Sequence, residues 1–180
     1  MLFRSVAVTL DVRAGRGHDP AGLDGLADLL AELTWTGAVG PYPARTREDL
    51  ASARPMGAEV NVNRSLARFT EIATPAQLPG VLAELSARLS GVTVTDASLR
   101  TAIAQVRREA GAHYFGPVAD VLYWRGAALA RDVDDAGLLR LAQLPGLNRM
   151  NARDAAARLK GWYRSEEHTS ELQSPDHLVC

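Results

Sequence analysis

The chain has 180 residues, 47% of them hydrophobic, and a formal net charge of −1. That length and apolar content allow one domain with its own core, and the near-neutral charge excludes a surface built to grip nucleic acid through its phosphates. No apolar run approaches the ~18 residues that a membrane span requires.

Cys180 is the only cysteine, so neither a disulfide framework nor a cysteine-based metal site can form within the chain. Every basic residue except Lys160 is an arginine. With the abundant alanine, this points to a GC-rich bacterial genome rather than to an arginine-based function. The compartment stays open between cytoplasm and periplasm.

The two ends read differently from the middle. Leu2-Phe-Arg-Ser5 and Arg164-Ser-Glu-Glu-His-Thr-Ser-Glu-Leu-Gln-Ser174 resemble translated sequencing adaptors. Residues 1–5 and 164–180 are therefore expected to be non-native, and such segments are set aside in fold reasoning. The domain is placed at 6–163, where basic residues outnumber acidic ones by one.

Val6, Val8, Leu10 and Val12 alternate with Ala7, Thr9 and Asp11, the period of a strand with one buried face. Gly15 and Gly17 make a turn, and Asp19-Pro20 is expected to cap and open a helix. Leu23, Leu26, Leu30 and Leu33 follow at helical spacing, ending before Gly37. Asp28 and Glu32 fall off that stripe, so they are expected on a solvated face. Thr46-x-x-Asp49 resembles a capping box for a short helix. Ala58–Asn63 and Leu66–Ala73 predict an antiparallel strand pair.

Thr74-Pro75 begins a helix carrying Leu78, Val81, Leu82, Leu85 and Leu89. Asp96 is expected to cap the helix that carries Glu109. Further helices are predicted from Gly116-Pro117 to about Arg131, from Asp134 to Leu144, and from Asn151 to Tyr163. Trp35, Tyr123, Trp124 and Trp162 are expected in or beside the core, and His18 in an exposed loop. Glu109 and His113 stand four apart, as a helix-end charge pair would. The order of strand, helix, short helix, two strands and several helices is an α+β pattern.

Val6–Gly15, His18-Asp-Pro-Ala-Gly22 and Gly25-Leu-Ala-Asp-Leu-Leu-Ala-Glu-Leu-Thr-Trp-Thr-Gly37 together resemble the opening of the insulinase/pitrilysin family of inverted-zincin metallopeptidases. The family helix reads Gly-Leu-Ala-His-x-x-Glu-His. Here Asp28 and Glu32 stand at the two histidine positions and Ala31 at that of the catalytic glutamate. Two imidazoles at i and i+4 share one helix face and can hold zinc; the glutamate takes a proton from the zinc-bound water. Ala31 has no ionisable group, and carboxylates are poorer zinc ligands than imidazole. The family's third ligand, a glutamate on a later helix, falls at Glu109.

The resemblance implies an insulinase-like half-domain: a mostly antiparallel sheet with helices packed on it, cut short before its final strand. It implies a non-catalytic half or subunit that helps enclose a peptide. Zinc is expected only in the catalytic partner half, and this chain is expected to need no cofactor. In active relatives the substrate joins a sheet edge as an added strand, which would place peptide along Glu59, Val60, Asn61, Val62 and Asn63. Two other readings stay open. Asp28, Glu32 and Glu109 could converge on a hard divalent cation and support a metal-dependent peptidase, or the chain could be a stand-alone interaction module.

Overall fold

A computed structural model of the chain describes residues 5–131, 133–163 and 170–173. Residues 1–4 and most of 164–180, the segments read as non-native, lie outside that set. The architecture is α+β. Strand β1 (Val6–Val12) pairs antiparallel with β3 (Ala67–Ala73) along its full length, Val6 opposite Ala73 and Val12 opposite Ala67. β2 (Ala58–Val62) pairs antiparallel with the other side of β3. Four residues of the tail, Ser170–Gln173 (β4), pair with β1, giving the order β2-β3-β1-β4.

Among the described residues seven helices follow the sequence pattern: α1 (Leu26–Thr36), α2 (Arg47–Ala53), α3 (Leu78–Ser90), α4 (Asp96–Phe115), α5 (Val118–Leu129), α6 (Asp135–Gln143) and α7 (Ala152–Tyr163). No helix among the described residues is long and apolar enough to cross a membrane.

Helix α1 is the centre of the molecule. Leu26, Leu29, Leu30 and Leu33 are fully buried, and Ala27, Ala31 and Trp35 are buried with them. A helix apolar on nearly every side must be covered on nearly every side. β2 and β3 lie against it, as do α3, α4 and α7. Trp35 packs on Phe69 of β3 at 5.7 Å between ring centroids, and Tyr163 meets Phe69 edge-on at 6.3 Å. This burial corrects one sequence expectation. The leucine stripe marked one buried face, but α4 covers the opposite one, so Glu32 is buried and Asp28 is half-buried rather than solvated.

Two caps also differ from expectation. Asp19 does not begin α1. Gly22 and Gly25 both have positive φ, at 77° and 84°, and carry the chain through a loop before Leu26. The Asp19 carboxylate reaches across that loop and accepts from the N–H groups of Gly25 and Ala27, both at 2.8 Å. In α4 the capping residue is Thr95, whose hydroxyl accepts from the Ser98 N–H, while Asp96 is the first helical residue. The Thr46–Asp49 capping box of α2 forms as read.

Burial pushes the Asp19 carboxyl up from its ordinary 3.8 to about 6, against the pull of the two N–H groups. The folded form thus holds its proton more tightly than the unfolded chain does. This group's contribution is greatest below pH ~4, declines as pH rises to ~6, and is constant above. Asp19→Asn removes that slope. In urea unfolding, the stability difference between wild type and variant is therefore expected to be larger at pH 4 than at pH 7. An unchanged difference would refute the assignment.

A buried ion network fixes α2 at both ends. Glu71, on the inward face of β3, is fully buried. Its Oε1 accepts from Arg45 Nη2 at 3.1 Å and its Oε2 from Arg54 Nε at 2.7 Å. Arg45 precedes α2 and Arg54 follows it. Glu84 of α3 closes the network with Arg45 at 2.9 Å and Arg88 at 2.8 Å. The Arg45 guanidinium also lies over the Trp35 ring, 4.9 Å from its centroid. Arg47, at the first position of α2, is held from both sides.

Candidate functional site

Of Asp28, Glu32 and Glu109, only Glu32 and Glu109 meet at a shared partner, and each of the three is paired with an arginine. Arg16, in the short 3-10 turn Arg16–His18, grips Asp28 with two bonds, Nε to Oδ2 at 2.8 Å and Nη2 to Oδ1 at 2.7 Å. Arg47 Nη2 donates to Glu32 Oε2 at 2.7 Å and lies 2.8 Å from Glu109 Oε1 in an ion pair. Glu109 on α4 thus faces Glu32 on α1 across a single guanidinium.

Burial raises the pKa of Glu32; the bond and charge of Arg47 oppose that rise, and Glu109 adds to it. One guanidinium between two carboxylates supplies the positive charge that a cation would otherwise bring. The Ala31 methyl, beside them, offers no proton acceptor. Among the described residues no group of three or more His, Cys, Asp or Glu side chains is placed to hold a metal ion. A divalent cation could bind Glu32 and Glu109 only after Arg47 withdrew.

These groups form the floor of a cleft of about 1040 Å³. One wall is the edge strand β2, through Val60 to Asn63. The other comes from α4 and α5, through His113, Tyr123 and Trp124. His113 stacks on Trp124 with centroids 4.6 Å apart, and Tyr123 meets Trp124 edge-on at 5.5 Å. Arg16 extends over the same indole at 5.3 Å. Tyr123 is 71% exposed, so it belongs to the cleft rather than in or beside the core, whereas Trp124 is partly buried, lines the cleft and packs beside a small core cluster as expected. His18, by contrast, is exposed as expected.

The strand register decides which backbone groups the cleft can use. Asn63 donates to Leu66 and Ile72 donates to Gly57. With the pairs Asn61↔Arg68 and Glu59↔Thr70 between them, the odd-numbered residues of β2 exchange bonds with β3. The N–H and C=O groups of Ala58, Val60 and Val62 therefore point to the outer edge, where no strand among the described residues pairs. The segment 59–63 is thereby narrowed. Val60 and Val62 carry the free edge, Asn61 and Asn63 line the cleft but turn their backbones inward, and exposed Glu59 does not line it.

Sequence reasoning missed Arg16 and Arg47. No sequence signal singles them out, because the need for a cation partner follows from the burial of Glu32 and Asp28, which only the fold reveals.

Neither a protein-family model nor a curated protein sequence matches this chain. Solved structures do. The periplasmic protease PqqL from Escherichia coli superimposes with a TM-score of 0.72 at 13% identity, over 93% of this chain and 19% of that one. Pitrilysin gives 0.67 at 17% identity, over 97% of this chain and 19% of that one. The fold is that of the insulinase and pitrilysin proteases. The first half of PqqL alone gives 0.70 at 14% identity, with 37% of its length covered. This chain therefore spans about a fifth of the full-length proteases and under two-fifths of that separate half.

Proposed function

We propose that this chain is part of a non-catalytic half or subunit of an insulinase/pitrilysin-like peptidase, helping to enclose peptide substrate without cutting it. The observation that carries the reading is Arg47. Its guanidinium bridges the two acids at ligand positions while Ala31 replaces the general base, so the site has neither room for the metal's charge nor a group to activate water. The cleft and the free β2 edge are retained. An extended peptide can pair there through Val60 and Val62 with backbone bonds that any sequence supplies. The catalytic partner half would carry His-x-x-Glu-His and the zinc.

Two measurements test this. The purified chain, incubated with zinc and a quenched fluorescent peptide library, is expected to show no metal-dependent hydrolysis; zinc-dependent cleavage would overturn the reading. Val62→Pro removes an outward N–H from the free edge. It is expected to weaken peptide binding about fivefold or more while leaving the core intact, since losing one hydrogen bond costs ~1 kcal/mol. Unchanged affinity would remove β2 as the docking edge.

A further inference from the structure

We infer that the cleft selects extended peptides bearing acidic side chains. The inference rests on the proposed peptide-binding reading and specifies its ligand. Three carboxylates line the cleft and each has an arginine partner: Asp28 pairs with Arg16, while Glu32 and Glu109 share the single charge of Arg47. Two further guanidiniums, Arg64 just after β2 and Arg131 just after α5, also line it. Both are exposed, and neither has a carboxylate partner among the described residues. Arg131 spends only its Nε, on the Ala127 carbonyl.

The consequence is directional. A basic side chain entering the cleft would meet four guanidiniums, Arg16, Arg47, Arg64 and Arg131, against three carboxylates that already have arginine partners. An acidic side chain would find two guanidiniums with donors to spare, each able to bind a carboxylate through two parallel bonds. Between them, Tyr123 and Trp124 offer an apolar wall opposite Val60 and Val62, so alternate residues of an added strand would meet an aromatic surface. The ligand is an extended, aromatic-tolerant, acidic peptide segment.

The test uses the full chain and three fluorescein-labelled peptides sharing one valine- and phenylalanine-containing centre, flanked by Glu, Ser or Lys. Fluorescence anisotropy at low salt is expected to rank them Glu, Ser, Lys, with the Glu peptide about five- to tenfold tighter than the Ser peptide. The preference should shrink as salt rises. The pair Arg64→Gln and Arg131→Gln, both on the surface, should bring the Glu peptide to the affinity of the Ser peptide while leaving the Ser peptide unchanged. Equal binding of all three peptides, still sensitive to Val62→Pro, would overturn the acidic preference and keep the docking edge. Binding that ignores Val62→Pro, or no binding at all, would overturn both.

Discussion

Replacing Glu71 with glutamine is expected to lower unfolding free energy by about 3–5 kcal/mol, the loss seen when one partner of a buried ion pair is removed. The substitution keeps size and shape, so packing does not explain the loss. What changes is that Arg45 and Arg54, both largely buried, lose the charge between them and keep only Glu84, 2.9 Å from Arg45 and 3.7 Å from Arg54. Burial already lowers the pKa of Arg45, and the nearby Arg88 lowers it further. Asp11→Asn is the control. It breaks an equally short pair with Arg68, but at the exposed sheet surface, where screening by water limits the cost to under ~1 kcal/mol. Urea unfolding of both variants measures the contrast. If Glu71→Gln costs no more than Asp11→Asn, the network does not hold α2 in place.

The second large effect is a gain. Asp28→His, Ala31→Glu and Glu32→His together write the His-x-x-Glu-His of the inverted zincins into α1, with Glu109 as the proposed third ligand. Alone they are expected to bind zinc poorly. Arg47 would still sit 2.8 Å from Glu109, holding a positive charge where the metal must go. Adding Arg47→Ala is expected to open the site. Zinc at a hundredfold excess over its dissociation constant would then raise stability by about 2.7 kcal/mol. Calorimetric zinc titration of the two multiple variants reads the difference. Equal affinity with and without Arg47 would show that the guanidinium does not stand in for the metal. No binding to either would show that positions 28, 32 and 109 do not share a ligand geometry.

Much of this architecture is legible in the residues. The period of two in Val6–Val12, the capping box at Thr46 and the pairing of 58–63 with 66–73 are local signals, and local signals survive folding. What local patterns could not show is what covers an element's second face. Asp28 and Glu32 look solvated beside a leucine stripe because nothing near them in sequence says that α4 will close over them. Tyr123 looks like a core residue for the converse reason: aromatic character marks a preference for burial, not which partner supplies it. Arg16 and Arg47 lie 12 and 15 residues from the acids they neutralise. Arginines are so common here that no single one stands out.

The unpaired edge of β2 has a price in self-association. Outward N–H and C=O groups accept any strand, including the same strand of another copy. Two features limit that reaction. β2 is only five residues long, and it is recessed beside α4 and α5, so a slender single chain can reach Val60 and Val62 more easily than the rim of a folded sheet can. Shaving that wall, for instance with Tyr123→Ala and Trp124→Ala, would widen access for whole domains as well as for peptides. A recess that admits an extended segment more readily than a folded sheet would disfavour polymerisation along that same edge.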